Sequence, residues 1–241
     1  MADNQYFYNK DRKSRVLRVK IKDGKADGVE VAADGFSLSN AVIWRGNDMY
    51  VTDTNSEVPG QGIIYHITMD KMKKGTVHLT PGEKDPHVLV TQHTLKRGRG
   101  DLASCDGITF DADGNLYCGN FGDGRVFKIT FDKAGKATSK LLIDDEKNLP
   151  SADCLFWNKG DNLIYVADSA ENAVRAFTPD GKLKTIWIND DTDGSDGLLD
   201  QPCEVLVRGN ELIVVCFDMP FPGLKNKKYD KFHTISVIKL K

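Results

Sequence analysis

The sequence predicts an all-β protein, and three observations lead to that prediction. One pattern occurs four times: a polar residue, an apolar strand, a short turn and a second apolar strand. The turns are rich in Gly, Asn and Asp, which tight hairpins require. No segment shows the i, i+3, i+4, i+7 spacing of apolar residues that indicates an amphipathic helix. Helices should therefore contribute little to the fold.

The repeats begin near residues 40, 106, 153 and 203. Their sequences are NAVIWRGNDMYVTDT, DGITFDADGNLYCGNF, DCLFWNKGDNLIYVADS and CEVLVRGNELIVVCFD. A third strand follows in each repeat, near residues 62, 125, 173 and 234, and fourth strands are predicted from Thr138 and from Leu183. Four short antiparallel strands in a repeat of about 45 to 50 residues are typical of a β-propeller blade. A β-sandwich is the alternative fold, although it does not require this period.

The number of blades follows from the two ends of the repeat series. Residues 5–35 resemble a partial first blade that lacks its first strand, and the last repeat lacks a fourth strand. Counting the partial unit gives about five blades, or a six-bladed parent from which one blade has been lost. The length of 241 residues suits one closed all-β unit, so we expect a single domain over residues 1–241.

Composition indicates an ordinary globular protein. The 35 acidic and 33 basic residues leave a net charge of −2, which does not favour nucleic acid or an anionic membrane as a partner. The longest apolar runs are far shorter than the roughly 20 residues of a membrane span. The N-terminal segment is polar, so we expect a cytoplasmic protein, with a trimmed secreted form as the alternative. The oligomeric state is left open.

Polar residues at the repeat starts form the candidate site. In a propeller the first strand of each blade lines the central channel, so Asn40, Asp106, Asp153 and the pair Cys203-Glu204 should converge there. Carboxylate and amide oxygens suit Ca²⁺, Mg²⁺ or Mn²⁺. Carboxylates crowded in one channel also repel one another without a cation. The alternative is that these residues merely cap strand starts or turn corners.

The second repeat carries a resemblance to a known family. The stretches SNAVIW from Ser39 and CDGITFDADGNLYCGNFGDGRVFKITFD from Cys105 resemble the senescence marker protein (regucalcin)/gluconolactonase family of lactone hydrolases over residues 35–218. On this resemblance Asn40 and Asp106 match the metal-ligating Asn and Asp of the family, and Asp106 is also the candidate general base. Glu204 resembles a Glu-led blade that in the family lies near the N-terminus. Asp153 is expected to be a ligand or a substrate contact.

The resemblance implies hydrolysis of a small lactone or related cyclic ester. One divalent ion would polarise the carbonyl and activate a water molecule, with Ca²⁺ favoured and Mg²⁺, Mn²⁺ or Zn²⁺ as alternatives. Two other functions stay open on the same scaffold. One is a non-catalytic propeller that binds a ligand or partner on a loop face, and the other is a strictosidine-synthase-like enzyme.

Three further segments bear on the site. The region from Glu57 to Gly100 is predicted to include a long loop, whose Arg99 is a candidate substrate contact. Phe217, in the C-terminal segment FDMPFPGLKNKKYDKFH, is a candidate for an apolar wall of the channel. The acidic run DDTDGSDGLLD at 190–200 lacks the spacing of an EF-hand, and we interpret it as a flexible acidic loop.

Overall fold

The strands of the protein form five small sheets. The computed structural model describes residues 1–5, 13–55, 57–80, 82–95, 103–219, 222–230 and 233–240. The elements of the first half are β1 (Ala2–Asp3), β2 (Ser14–Lys22), β3 (Lys25–Phe36), β4 (Leu38–Arg45), β5 (Asp48–Thr54), β6 (Gln61–Thr68), α1 (Met69–Met72), β7 (Val77–His78), β8 (Val88–His93) and β9 (Cys105–Phe110). Those of the second half are β10 (Leu116–Asn120), β11 (Val126–Phe131), β12 (Ala137–Ile143), β13 (Leu155–Asn158), β14 (Leu163–Asp168), β15 (Ala173–Phe177), β16 (Leu183–Ile188), a 3₁₀ turn (Ser195–Gly197), β17 (Pro202–Arg208), β18 (Glu211–Cys216) and β19 (Ile235–Lys239).

The sheets are the blades of a β-propeller, which confirms the predicted fold class. Blade 1 has the order β1-β2-β3-β7 and blade 2 the order β4-β5-β6-β8. Blade 3 contains β9 to β12 and blade 4 contains β13 to β16, each in chain order across the sheet. Blade 5 has three strands among the described residues, β17-β18-β19, as the sequence predicted for the last repeat. None of the described helices is long and apolar enough to cross a lipid bilayer.

Blade 1 differs from the prediction in two ways. Its first strand is β1 (Ala2–Asp3), whereas the sequence predicts a blade that starts at residue 5 without a first strand. Its fourth strand, β7, comes from the region between β6 and β8 and pairs in parallel with β3. The region from Glu57 to Gly100, predicted to form a long loop, thus contains β7, which completes blade 1, and β8, which completes blade 2.

Apolar side chains between neighbouring blades form the core. One cluster joins blades 1 and 2 around Phe36, Met49 and Tyr65, all of which are at most 1% exposed. Equivalent clusters join blades 3 and 4 and blades 4 and 5. The strands in the middle of the blades are buried on both faces, as the almost continuous burial of β14 and β15 shows.

Two glycines allow the blades to approach one another beside the channel. A Cβ atom at Gly107 would lie 2.4 Å from the Cys154 Cα and 2.5 Å from the Asp153 carbonyl oxygen. A Cβ atom at Gly62 would lie 2.6 Å from the Cys105 nitrogen. The Gly107 N–H donates to the Asp153 carbonyl at 3.3 Å, so the backbones of blades 3 and 4 touch directly next to Asp106.

We predict that Gly107→Ala destabilises the protein by about 1–3 kcal/mol, because the new methyl group overlaps backbone atoms that cannot move aside. Urea unfolding followed by circular dichroism measures this change. Gly160→Ala is the matched control, since its Cβ would meet nothing closer than 3.6 Å, and it should change the free energy of unfolding by less than about 0.5 kcal/mol. Equal stability of the two variants would contradict this explanation of the blade contact.

Candidate metal centre in the central channel

The four residues predicted to converge line one cavity. Asn40 lies on β4, Asp106 on β9 and Glu204 on β17, while Asp153 lies two residues before β13. The cavity has a volume of about 570 Å³ and is lined by all four, together with residues of the first strands of blades 1 to 4. The repeat structure of the sequence therefore places these side chains around one axis.

Three of the four side chains lie close together. The Asn40 Nδ2 donates to Asp106 Oδ1 at 2.5 Å. The carboxyl groups of Asp106 and Asp153 lie close enough for each to shift the pKa of the other, and each residue is only 8% exposed. The Ser169 hydroxyl lies 2.9 Å from Asp153 Oδ2 and 2.6 Å from the Pro202 carbonyl oxygen.

Burial determines the protonation of this pair. It raises the pKa of Asp106, and the nearby Glu204 carboxylate raises it further. The pKa of Asp153 is also raised, first by burial and then by the charge of Asp106. Because two carboxylates in contact cannot both remain charged at low cost, the pair retains a shared proton above the ordinary Asp range.

Glu204 lies at the wall of the cavity, farther from the pair. The loss of surrounding water raises the pKa of Glu204, whose Oε1 accepts the Val205 N–H at 3.0 Å. Among the described residues, the set of three acidic, His or Cys side chains whose ligand atoms lie within 4.8 Å of one another is Asp200, Asp218 and Asp230. Glu204, Asp106 and Asp153 do not form such a set, although the charge of Glu204 raises the pKa of both aspartates.

Inter-blade hydrogen bonds fix the backbone that carries the pair. The Thr52 hydroxyl of blade 2 donates to the Asp106 carbonyl at 2.6 Å and accepts the Ala41 N–H at 2.8 Å. The Cys154 N–H donates to the Cys203 carbonyl at 3.2 Å, which joins blades 4 and 5. Sequence reasoning missed Thr52 and Ser169, because a hydroxyl group within or beside a strand gives no signal of a contact to the next blade.

A second, smaller cavity lies on the other side of Asn40, Asp106 and Asp153, which line both cavities. It has a volume of about 250 Å³, and its lining includes Phe217, the candidate wall residue from the sequence. Phe121, Met219 and Leu38 add further apolar surface, of which sequence reasoning missed Phe121 and Leu38. Arg99, the other predicted substrate contact, lies outside the described residues.

The residues around the pair fit a divalent cation. All candidate donors are carboxylate or amide oxygens, the ligands of hard cations. The strongest influences on the pKa of Asp153 after burial are carboxyl groups and the Ser169 hydroxyl, and no basic side chain is among them. No ion pair among the residues that the structure describes involves Asp106 or Asp153, and a cation would supply the counter-charge of the ionised pair.

Comparison with the sequence models of known protein families shows which family the chain belongs to. The sequence model of the "SMP-30/Gluconolactonase/LRE-like region" matches residues 2–148, which is more than half of the chain. The chain belongs to this family. The match spans Asn40 and Asp106 and ends before Asp153 and Glu204. Comparison with the sequences of curated proteins gives no match.

Several solved structures have the same fold as this chain, although their sequence identity to it is low. A luciferin-regenerating enzyme aligns with 16% identity and a TM-score of 0.54 over 86% of this chain and 64% of its own. A gluconolactonase from Xanthomonas campestris gives 15% identity and 0.54 over 88% and 64%. A calcium-binding regucalcin from Agrobacterium tumefaciens gives 16% identity and 0.52 over 82% and 66%. The chain thus spans about two thirds of the length of these structures.

We predict that the Asp106–Asp153 pair makes metal-free stability depend on pH. The folded state holds the shared proton more tightly than the unfolded chain, so the free energy of unfolding falls as pH rises above the ordinary Asp pKa of 3.8. Asp106→Asn removes one charge of the pair. At pH 8 in chelator it should be more stable than the parent by at least about 1.4 kcal/mol, the equivalent of one pKa unit, with no advantage at pH 4.

Thermal unfolding of both proteins in chelator between pH 4 and pH 8 measures this difference. Other buried carboxyl groups, such as Asp168, contribute the same slope to both proteins and cancel in the comparison. Parallel pH profiles for the parent and the variant would show that the pair is not a shared-proton site.

Proposed function

We propose that the protein is a metal-dependent hydrolase of a small lactone or related cyclic ester. The observation that carries this proposal is the buried pair Asp106–Asp153, which lies at the boundary of two cavities and has Asn40 hydrogen-bonded to it. The family membership and a gluconolactonase of the same fold agree with this reaction class.

Asp106, Asp153 and the carboxamide oxygen of Asn40 would hold the cation, with Ca²⁺ as the preferred ion. Rotating the Asn40 amide by 180° would exchange the positions of its nitrogen and oxygen. The oxygen would then face the cation held by Asp106 and Asp153. Glu204 would complete the site at a longer distance or through water. The chemistry that such a cation supplies when bound is Lewis-acid polarisation of the ester carbonyl and a lower pKa for a nearby water.

The carboxyl pair would then accept and return the proton that the reaction transfers. A positive charge beside the pair favours the ionised form of both carboxyl groups, so Asp106 becomes able to accept a proton. The water oxygen forms a bond to the acyl carbon while its proton passes to Asp106. The ring C–O bond breaks, and the leaving oxygen takes that proton to become the hydroxyl group of the hydroxy-acid product. Water and lactone are thereby consumed in equal amounts, and Asp106 returns to its ionised state.

The smaller cavity would hold the substrate. Its apolar wall of Phe217, Met219 and Phe121 can pack against the carbon skeleton, while Asn40, Asp106 and Asp153 face the ester group. A volume of about 250 Å³ suits a small ring rather than a polymer. The proposed substrate is therefore a small lactone, and Arg99 stays a proposed contact from the sequence.

We predict that Asp106→Asn lowers kcat/KM for a small lactone at least 100-fold, which is the size of effect that loss of a general base produces. Assays of a lactone panel with the purified protein, before and after chelation, provide the measurement. Asp113→Asn is the matched control, because Asp113 is exposed in the turn between β9 and β10, and it should retain full activity.

Loss of turnover on chelation and in Asp106→Asn, with recovery of the parent on adding Ca²⁺, would support the hydrolase. A protein that binds Ca²⁺ in the channel but hydrolyses no lactone would contradict the hydrolase and favour a non-catalytic binding propeller. Turnover that survives both chelation and Asp106→Asn would refute the roles assigned to the cation and to Asp106.

We also predict that Phe217→Ala raises KM about tenfold or more while kcat and Ca²⁺ affinity stay within a factor of about three. The expected size is that of removing an apolar side chain from the wall of a binding pocket. Steady-state kinetics measures it, with Leu141→Ala as the control, since Leu141 is 49% exposed on the outer strand of blade 3. An unchanged KM would show that Phe217 does not contact the substrate.

A further inference from the structure

A second group of acidic side chains lies in blade 5, outside the channel site. Asp200 precedes β17, Asp218 follows β18, and Asp230 lies in the segment between β18 and β19. One carboxylate oxygen of each lies within 4.8 Å of the others. Asp200 and Asp218 are at most 1% exposed, and Asp230 is half-buried.

Among the described residues, no basic side chain pairs with this group. Within the part of the chain that the structure describes, neither carboxylate oxygen of Asp200 has a close hydrogen-bond partner, and the same is true of Asp230 Oδ2. No ion pair among the described residues involves any of the three, although several lysines are near in sequence. Burial first, and then the charges of Asp218 and Asp230, raise the pKa of Asp200 to about 6. The nearby Asn226 amide lowers the pKa of Asp200 but does not offset its burial. Buried carboxylates in native proteins are paired or coordinate metals.

In blades 2 and 4, the Asp at the position equivalent to Asp218 has a partner that stabilises its negative charge. Each has a buried Asp three residues after its second-strand Tyr, as Asp218 stands three residues after Val215. Asp53 accepts the Ser37 N–H at 3.0 Å, and Asp168 pairs with the Arg175 guanidinium at 3.1 Å. In blade 5 the facing groups are instead two further carboxylates. The backbone N–H of Asp230 and the Asn226 amide bond Asp218, but neither carries a positive charge.

The buried side-chain amide of Asn226 independently indicates that this site binds a ligand. Its Nδ2 donates to Asp218 Oδ1 at 2.6 Å, so the amide group lies at the edge of the carboxylates. Its Oδ1 is buried, in a residue 4% exposed, and has no hydrogen-bond partner. An orphaned carbonyl oxygen next to uncompensated carboxylates is unfavourable in a metal-free protein. A half-turn of this amide would direct the oxygen to the carboxylates and add a neutral ligand.

We propose that Asp200, Asp218, Asp230 and the Asn226 carboxamide oxygen form a divalent cation site for Ca²⁺, separate from the channel. An all-oxygen set of three carboxylates and one amide is the donor chemistry of Ca²⁺, and the site has no His or Cys ligand for Zn²⁺. The ion ties the start of β17 to the segment after β18. Because that segment begins with Phe217 and Met219, the site supports the wall of the smaller cavity.

Calorimetric titration with CaCl₂ tests the site without requiring any activity. The double variant Asp106→Asn/Asp153→Asn removes the channel ligands, and it should still bind about one equivalent of Ca²⁺. Asp200→Asn in that background should weaken the remaining binding at least tenfold and abolish the rise in unfolding temperature that Ca²⁺ produces. Asp113→Asn in the same background should bind as the double variant does.

Terbium luminescence gives a second readout in the otherwise unmodified chain. Tyr229 adjoins Asp230, so Tb³⁺ at this site should emit on excitation of tyrosine, and Tyr229→Phe should reduce the emission severalfold without loss of Tb³⁺ binding. The proposal is overturned if the channel double variant binds no Ca²⁺, or if Asp200→Asn leaves both Ca²⁺ affinity and Tb³⁺ emission unchanged. A channel that binds no metal would refute the proposed function but not this site.

Discussion

The contact between two buried carboxyl groups, Asp106 and Asp153, is the constraint on which the rest of the channel depends. These groups belong to different blades, and they meet because Gly107 lets the two backbones touch. The hydrogen bonds of Thr52 and Ser169 hold both segments in place. A pair buried in this way must keep a proton or take up a cation, and the chemistry proposed for the channel follows from that choice.

A buried acidic side chain also lies at the end of the second strand or just after it in blades 2, 4 and 5, and these blades balance its charge differently. Asp53 accepts the backbone N–H of Ser37 with both carboxylate oxygens, and Asp168 pairs with Arg175, so these residues are part of the scaffold. Asp218 meets two carboxylates instead, and no basic side chain of the described residues pairs with the three. A buried acidic residue in this fold is therefore informative only together with the groups that face it, because an Asp at an equivalent position can be structural in one blade and a ligand in the next.

Much of the fold could be predicted from the sequence, since the hairpins are local and repeat with a period. The channel residues followed from the same period, because equivalent positions of first strands surround one axis. The parallel pairing of β7 with β3 could not be predicted, because a strand of two residues is too short to produce a periodic pattern in the sequence. The blade 5 cluster was missed for a similar reason. Asp200 belongs to a run whose composition predicts a flexible acidic loop, yet it is fully buried against residues 18 and 30 positions later.

The most direct test of the channel site is a crystal structure determined at neutral pH in the presence of Mn²⁺, which replaces Ca²⁺ at oxygen sites and can be located by its anomalous scattering. We expect an anomalous peak in the channel within about 2.6 Å of carboxylate oxygens from both Asp106 and Asp153. The two carboxyl groups would then no longer share a proton. A channel without a peak, in which the carboxyl groups of Asp106 and Asp153 remain next to one another, would contradict the proposed metal centre.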